Sequence, residues 1–411
     1  MRILALVATV LLVTSATAGV VPTTTGAQQT GPYDGTHVSF GTEADALTDY
    51  RVDGTTFFDS VSVQSKQTAA DDRPLGVGSD VSSVASLSGS ELAVDSRTTT
   101  NATITADSGA TIDVHDNPHG IMVVESTNAT QYVQLNVSEK GEAGYWGDAT
   151  AVIETDGGPE ATAFVVGNGT VGVNDDGDVV AEVGEDGYLV VRTYDRRRGT
   201  DDRNQEQLIA DGIATAEAYV MQQDGERVVD TVTYGETTSL RATERSADRV
   251  ELAVDRPTQD GTVLLASVSS EAFDGASDLS VTVDGETAAK ATAYSELPIA
   301  ADGGQRSKYL TQQSSSVDSV TEVAVAVNQF SERTVALQGG QANGSAANTT
   351  GETTTGDSET DAGDGTETAA AGEAGTTTRT ETTSPGFGLL AGTTTLLALL
   401  VVTVVRSRRR H

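Results

Sequence analysis

The chain of 411 residues carries 60 Asp and Glu against 25 Lys and Arg, which gives a formal net charge of -35 at pH 7. Such a surface repels itself in dilute solution and is screened when about 1 M salt shortens the Debye length to about 3 Å, so the composition indicates a halophilic archaeon. It excludes nucleic acid as a partner, because phosphate binding requires clustered Lys and Arg. The lack of cysteine excludes disulfides and thiolate metal sites.

A secretory signal peptide is predicted over residues 1–18. One positive charge precedes an apolar run at residues 3–13, and Ala16 and Ala18 form a small-x-small cleavage site. The run is shorter than the roughly 20 residues that a membrane-crossing helix needs. We expect signal peptidase to cut after Ala18, with residues 19–35 as a flexible N-terminus. An uncleaved anchor is the alternative.

Residues 339–384 predict a disordered stalk. They consist of Thr, Gly, Glu, Ala and Asp with scarcely any large apolar residue, so they bury too little surface to offset the entropy of ordering. The exported chain also contains Asn-x-Ser/Thr sequons, which make it a candidate glycoprotein. These sequons lie at Asn101, Asn128, Asn136, Asn168, Asn343 and Asn348.

The C-terminal segment, residues 385–411, contains an uncharged apolar stretch long enough to cross a membrane as a helix. A basic cluster follows it. The arginines are Arg406, Arg408, Arg409 and Arg410. By the positive-inside rule this tail lies in the cytoplasm and the bulk of the chain lies outside the cell.

The tripeptide Pro385, Gly386 and Phe387 stands between the Thr-rich linker and this apolar stretch with its arginines. In that order the segment resembles the PGF-CTERM sorting signal of haloarchaeal surface proteins. The resemblance is limited to the sorting signal and the linker. It implies recognition by an archaeosortase, removal of the C-terminal helix and attachment of a prenyl-type lipid. A plain type I transmembrane anchor is the alternative.

Between the two ends, alternating Val and Thr patterns predict a mostly β ectodomain. We expect an antiparallel sandwich-like or meander fold in two β-rich regions, residues 36–199 and 224–338. Asp-Gly pairs, such as those beginning at Asp176 and Asp284, predict type I′ hairpin turns. A short self-similarity within residues 170–191 predicts successive hairpins of one meander.

The β pattern changes over residues 200–223, where apolar residues recur at helical spacing. This segment predicts an amphipathic helix that packs on a sheet or bridges the two β-rich regions. The cluster Arg196, Arg197 and Arg198 comes just before it. We expect these arginines to pair with neighbouring carboxylates, with an anion at the helix N-terminus as the alternative.

Two short motifs are weak candidates for metal ligands. His115 and His119 lie in a turn that contains proline, and Asn174, Asp176 and Asp178 offer oxygen atoms at alternate positions. Unmetallated loop histidines and an ordinary acidic turn are the alternatives. We therefore predict no metal site and no cofactor beyond nonspecific cation binding.

The usual catalytic motifs are missing from the sequence. The low aromatic content, with Trp146 as the one tryptophan, disfavours a sugar-stacking cleft. The sequence therefore predicts a non-enzymatic cell-surface glycoprotein with a structural, adhesion or interaction role beside S-layer or other envelope proteins. The alternatives are an envelope-anchored hydrolase and a solute-binding lipoprotein.

Overall fold

The computed structural model describes residues 31–71, 81–146, 149–235, 237–313, 320–329 and 332–340. The predicted signal peptide, nearly all of the stalk, the PGF-CTERM segment, Asn343 and Asn348 lie outside these residues. No helix in the described part of the chain is long and apolar enough to span a membrane.

The described chain up to Tyr194 is almost entirely β. Its strands are β1 (Tyr33–Asp34), β2 (Val38–Thr42), β3 (Leu47–Val52), β4 (Thr55–Ser65), β5 (Leu92–Arg97), β6 (Asn101–Ala106), β7 (Ala110–His115), β8 (Met122–Ser126), β9 (Gln131–Val137), β10 (Gly141–Trp146), β11 (Thr150–Thr155), β12 (Glu160–Val166), β13 (Gly169–Val173), β14 (Val179–Val183) and β15 (Tyr188–Tyr194). A short helix α1 (Lys66–Asp71) and a 3-10 turn (Val81–Ser83) lie between β4 and β5.

These strands form two antiparallel sheets that face each other as a sandwich. Sheet I has the order β1-β2-β3-β4-β9-β14-β13, and sheet II has the order β10-β11-β12-β15-β8-β7-β6-β5. Alternate residues point into the shared core, as in β6, where Ala102, Ile104 and Ala106 are buried. The predicted sandwich is therefore confirmed for this region.

The rest of the described chain forms a second sandwich. Its elements are α2 (Thr200–Ala210), β16 (Ala214–Gln223), β17 (Glu226–Thr233), β18 (Ser239–Arg245), β19 (Arg249–Asp255), β20 (Thr262–Ser269), a 3-10 turn (Ala276–Asp278), β21 (Ser280–Val283), β22 (Glu286–Thr287), β23 (Ala289–Lys290), α3 (Glu296–Ala301), β24 (Lys308–Gln313), β25 (Val320–Val327) and β26 (Arg333–Gln338). Sheet III has the order β17-β16-β20-β25-β24-β23, and sheet IV has the order β18-β19-β26-β21-β22. Most pairs are antiparallel, but β16 with β20 and β23 with β24 are parallel.

The predicted helix over residues 200–223 is correct only for its first half. Helix α2 ends at Ala210, and Gly212, at φ +68°, turns the chain into strand β16. The second β-rich region therefore begins at Ala214 and not at residue 224. Strand β16 is central in its sheet and buried on both faces, so its apolar residues do not alternate and resemble a helical pattern.

Three smaller predictions also differ from the structure. Tyr33 already belongs to strand β1, so the first β-rich region starts before residue 36. Strands β14 and β15 lie in different sheets, so residues 170–191 are not one meander. The turn at Asp284 has positive φ at both central residues, as type I′ requires, whereas Asp176 does not share the positive φ of Gly177.

A third apolar cluster joins the two sandwiches. Leu208 and Ile209 of α2 and Leu297 of α3 pack between the outer faces of sheets II and III, with Phe164 on one side and Leu265 on the other. The prediction that the helix bridges two β regions is confirmed. We call this contact between sheets II and III the junction.

Candidate functional site

The junction contains a fully buried ion pair. Strand β15 turns Leu189 and Val191 into the first sandwich core, so its alternate residues, including Arg192, face outward toward sheet III. Glu217 comes from strand β16 of sheet III. The Arg192 Nη1 atom lies 2.6 Å from Glu217 Oε2, and Nη2 lies 3.3 Å from Oε1, so the pair is bidentate and without exposed surface.

Two tyrosines complete the shell around this pair. The hydroxyl of Tyr219 donates to Glu217 Oε1 at 2.7 Å, and that of Tyr234 donates to Oε2 at 2.6 Å. Burial by itself would raise the pKa of Glu217, but Arg192 and these donors outweigh it and hold that pKa below its usual value. Glu217 therefore stays ionised, and its four hydrogen-bonded contacts offset the cost of burying the charge.

The predicted pairing of the arginine cluster is confirmed. Arg196 Nη1 lies 2.6 Å from Asp202, and Arg197 lies 3.0 Å from Glu154. Arg198, which is buried, is 3.2 Å from Glu160 and also 2.6 Å from Glu206 of α2. These contacts anchor the start of α2 to sheet II.

The two loop histidines separate into different environments. His115 Nδ1 lies 3.0 Å from Asp230 of β17, which also accepts a hydrogen bond from Asn117 Nδ2 at 2.9 Å. Burial opposes protonation of His115, but the attraction of Asp230 and other carboxylates outweighs it and raises its pKa. This loop therefore helps to connect the two sandwiches.

His119 lines a cleft, and its ring also lies edge-on to that of Tyr219 of β16, with 5.8 Å between the ring centroids. Its Nδ1 lies 2.9 Å from the carbonyl oxygen of Thr193, so Nδ1 donates and Nε2 is left as an acceptor. Burial, with the charge of Arg192 as the second cause, lowers the pKa of His119. The ring is therefore neutral at pH 7.

The neighbouring carboxylate of Asp116 holds the first strands of sheet I in place. Its Oδ1 accepts hydrogen bonds from the backbone amides of His37 and Val38, and its Oδ2 accepts one from Thr36, each at 2.7 Å. Gln223 of β16 donates to the same Oδ2 at 3.2 Å. Asp116 is thus a structural link across the junction.

The acidic turn that begins at Asn174 is held together by its own side chains. Asn174 Oδ1 accepts the backbone amides of Asp176 and Asp178 at 3.1 and 2.9 Å. Asp178 in turn accepts hydrogen bonds from Gln134 Nε2 and the amide of Val137. The oxygens of Asn174 and Asp178 are therefore used within the fold. Within the described ranges, no three His, Asp or Glu side chains are grouped as metal ligands.

A concave site at the junction is a cleft of about 220 Å³, here called the junction cleft. Its lining includes His37, His119, Tyr194, Arg196, Asp202 and Glu322. Burial raises the pKa of Glu322 to about 7, although Ser267 donates a hydrogen bond of 2.6 Å to its Oε1. The pKa of Asp202 is instead lowered, because hydrogen bonds from Arg196 and Gly199 outweigh its burial.

The residues that define the junction were missed by sequence reasoning. Arg192 and Glu322 each lie within a run of apolar strand residues, where a charged side chain is costly unless it finds a partner. That anomaly was a detectable signal. The partners themselves were not predictable, because Arg192 and Glu217 lie on strands of different sandwiches.

The sequons occupy different environments. Asn128 and Asn168 are exposed in turns, whereas Asn101 begins strand β6 and is partly buried. Asn136 Nδ2 donates to Ser60 Oγ at 2.8 Å within sheet I. The fold thus leaves the amide of Asn128 accessible and engages that of Asn136.

These observations define a class of architecture: two β-sandwiches joined face to face by a charged and hydrogen-bonded junction. No family model matches the sequence, and no curated protein matches it. Among solved structures, the chain is similar to a glycoside hydrolase family 81 protein from Clostridium thermocellum, with a TM-score of 0.34 and 9% identity. The match covers 74% of this chain and 35% of that one, and so weak a likeness says nothing of the activity of this protein.

Proposed function

We propose that the chain is a non-enzymatic, exported cell-surface glycoprotein of a halophilic archaeon, with an adhesion or interaction role in the envelope. The stalk of residues 339–384 carries the ectodomain away from the membrane. The PGF-CTERM segment anchors the protein to the membrane, through a lipid once an archaeosortase has removed the C-terminal helix. S-layer or other envelope proteins are its partners.

The observation that carries this proposal is that carboxylates of the junction are bound by groups of the protein itself. Glu206, Glu217 and Asp230 are buried and accept hydrogen bonds or ion pairs from groups of the protein itself. They hold the two sandwiches together, because breaking any one pair would leave a buried charge uncompensated. Two sandwiches joined in this way present fixed outer faces, which supports a display role on the cell surface.

Surface labelling tests the location. An amine reagent that cannot cross membranes is expected to modify Lys140 and Lys290, which are both exposed, in intact cells. Mass spectrometry of the mature protein is expected to give an N-terminus at Gly19 and no Arg408–Arg410 tail. Labelling only after lysis would contradict export, and an intact arginine tail would support the plain transmembrane anchor.

Complementation tests the non-enzymatic role. A strain that lacks the protein is expected to attach less well to surfaces or to neighbouring cells. The Glu322→Gln variant, expressed at the same surface level, is expected to restore attachment fully, because no proton transfer is required. Failure of this variant, with success of the exposed control Glu332→Gln, would contradict the proposal.

A specific observation also favours a second function, an envelope-anchored hydrolase that uses the junction cleft. Two carboxyl groups there have pKa values displaced in opposite directions: Glu322 to about 7 and Asp202 downward. Such a pair is suited to act as general acid and general base.

An activity screen tests this second function. In molar NaCl, hydrolysis of nitrophenyl glycosides or nitrophenyl esters by the purified chain should fall by about 100-fold or more in Glu322→Gln. Glu332→Gln, at an exposed site, should retain full activity. The absence of any hydrolysis by the unmodified protein would remove this second function and leave the first intact.

A further inference from the structure

A second cleft lies on the outer face of sheet II, against its edge strand β10. Its volume is about 370 Å³, within the range of about 300 to 1,000 Å³ usual for small-molecule sites. Gly144 and Val152, which are paired across β10 and β11, form part of its lining together with Trp146. We call it the aromatic cleft. It shares no lining residue with the junction cleft.

Two exposed aromatic residues, consecutive in strand β10, lie at the aromatic cleft. Trp146 is 53% exposed and its neighbour Tyr145 is 57% exposed. The Tyr145 hydroxyl accepts a hydrogen bond of 2.7 Å from the amide of Val173, which fixes that ring against sheet I. The guanidinium groups of Arg203 and Arg198 lie 4.9 and 5.8 Å from the centre of the indole. Rigid rings of this kind supply contact area at low entropic cost.

The charges around the indole are balanced. The lining has three arginines, Arg197, Arg198 and Arg203, and three glutamates, Glu142, Glu154 and Glu160. Arg197 and Arg198 pair with Glu154 and Glu160, so the site offers donors on Arg203 and acceptors on Glu142 beside these ion pairs, with no excess of either charge. A ligand with many hydroxyls can donate and accept at once, whereas an ion of either sign would find as much repulsion as attraction.

Arg203 adds donors that the protein does not consume. It donates to the carbonyl oxygen of Arg198 at 3.1 Å and to Thr200 Oγ1 at 3.3 Å. Among the described residues, no carboxylate forms an ion pair with it. Its remaining N–H groups and the adjacent indole are thus available to a molecule that enters the cleft.

We propose that the aromatic cleft binds a neutral saccharide. The exposed part of the Trp146 indole packs on the C–H face of one pyranose ring, and Arg203 and Glu142 pair with the ring hydroxyls. This inference rests on the proposed surface role and deepens it, since it names the chemical class that the ectodomain contacts. It differs from the expectation drawn from low aromatic content, because the fold places the one tryptophan of the chain in a charge-balanced cleft.

The single tryptophan makes the experiment direct. The full chain, purified from its membranes in molar NaCl, is titrated with maltotetraose, cellotetraose and mannotetraose as neutral probes and with tetragalacturonate as the anionic probe. Trp146 fluorescence reports contact with the indole, because the chain has 1 tryptophan. We expect a saturable change with at least one neutral probe and a response at least tenfold weaker with tetragalacturonate.

A blocking variant and a matched control locate the binding. A Cβ at Gly144 meets no atom within 4 Å, so the side chain of Gly144→Leu has room to start into the cleft, and this variant is expected to weaken binding at least tenfold. Ile299→Ala removes another exposed apolar side chain, 74% exposed and outside the cleft lining, and is expected to leave binding unchanged. Circular dichroism verifies that both variants are folded.

Three outcomes would overturn the inference. The first is that no neutral probe gives a saturable change in Trp146 fluorescence. The second is that tetragalacturonate binds as tightly as the neutral probes, and the third is that Gly144→Leu does not weaken binding. Each leaves the surface role standing, because that role is tested by lysine labelling and complementation. Conversely, saccharide binding by a protein found inside the cell would overturn the surface role while the aromatic cleft remained a sugar site.

Discussion

At the residue scale, the Arg192–Glu217 pair is the most consequential contact of the junction, since neither side chain has exposed surface. Glu217→Gln would leave the guanidinium buried without a counter-charge, so we expect the free energy of unfolding to fall by about 3–5 kcal/mol. Chemical denaturation in molar salt measures this loss. Replacing both partners by Met should cost much less, because no isolated charge is then buried.

A surface pair serves as the control for this prediction. Arg241 and Glu332 are 2.6 Å apart but more than half exposed, so Arg241→Met should change the free energy of unfolding by less than about 1 kcal/mol. Equal losses in Arg241→Met and Glu217→Gln would contradict the assignment of the junction pair as the stronger contact.

Also at the residue scale, the raised pKa of Glu322 predicts how stability depends on pH. Its pKa rises from 4.5 to about 7 on folding, so within that window the folded state retains a proton that the unfolded state has lost. Stability must then fall as the pH rises through the window. His115 acts in the same direction: its contribution is full below pH 6.5 and is lost as the pH rises through its raised folded pKa.

Thermal denaturation in molar salt between about pH 5 and about pH 8 tests this dependence. His119, whose pKa is lowered from 6.5, acts in the opposite direction below pH 6.5. We therefore expect the unfolding temperature to fall as the pH rises above 6.5, and the fall over the whole range to be smaller in Glu322→Gln, which cannot ionise. Asp202 and Glu217 have lowered pKa values. They lose their contributions to stability only as the pH falls below 3.8 and 4.5, respectively, which is outside the tested pH range. Identical slopes for both proteins would contradict the role of Glu322.

The accessible sequons give a further prediction at this scale. Asn128 is exposed, whereas Asn136 Nδ2 is engaged with Ser60. Because a glycan would replace one of the Nδ2 hydrogens and needs open space, we expect it on Asn128 and not on Asn136. Peptide mass spectrometry with and without deglycosylation measures occupancy, and a fully occupied Asn136 beside an empty Asn128 would contradict the argument.

At the element scale, the turn from α2 into β16 depends on one glycine. Gly212 has φ +68° and open space where a Cβ would stand, so Gly212→Ala adds backbone strain without a steric clash. We expect a loss of about 1 kcal/mol in the free energy of unfolding. Gly144→Ala, also in open space but without a positive φ, is the matched control and should cause no comparable loss. Equal effects of the two changes would contradict the strain argument.

The elements themselves differ in how far the sequence predicts them. Strand β6 alternates buried and partly exposed residues, as its sequence indicates. Strand β16 does not alternate, because both of its faces are covered, and its sequence therefore predicts a helix. Local periodicity predicts a strand that has one buried face and one exposed face, but it cannot distinguish a fully buried strand from a buried helix.

At the scale of the whole molecule, the net charge of -35 predicts that stability depends on ionic strength. Repulsion among the acidic groups is screened as salt rises, so we expect the unfolding temperature to increase from dilute to molar NaCl. KCl at the same ionic strength should act alike, because screening depends on ionic strength. An unfolding temperature that does not change with salt would contradict this prediction.

The sequence by itself determined the β class, the Asp284 turn and the first half of the helix that bridges the two β regions, because each depends on local pattern. It also indicated that the arginine cluster pairs with carboxylates, although Asp202 is close in the chain whereas Glu154 and Glu160 lie on distant strands. It also gives the surface location and the PGF-CTERM anchor, which stay predictions. Only the tertiary structure decided that β16 is a strand, that Arg192 meets Glu217, and that Trp146 lies exposed in a charge-balanced cleft. The physical reason is that burial and ion pairing depend on distant strands, which no local pattern specifies.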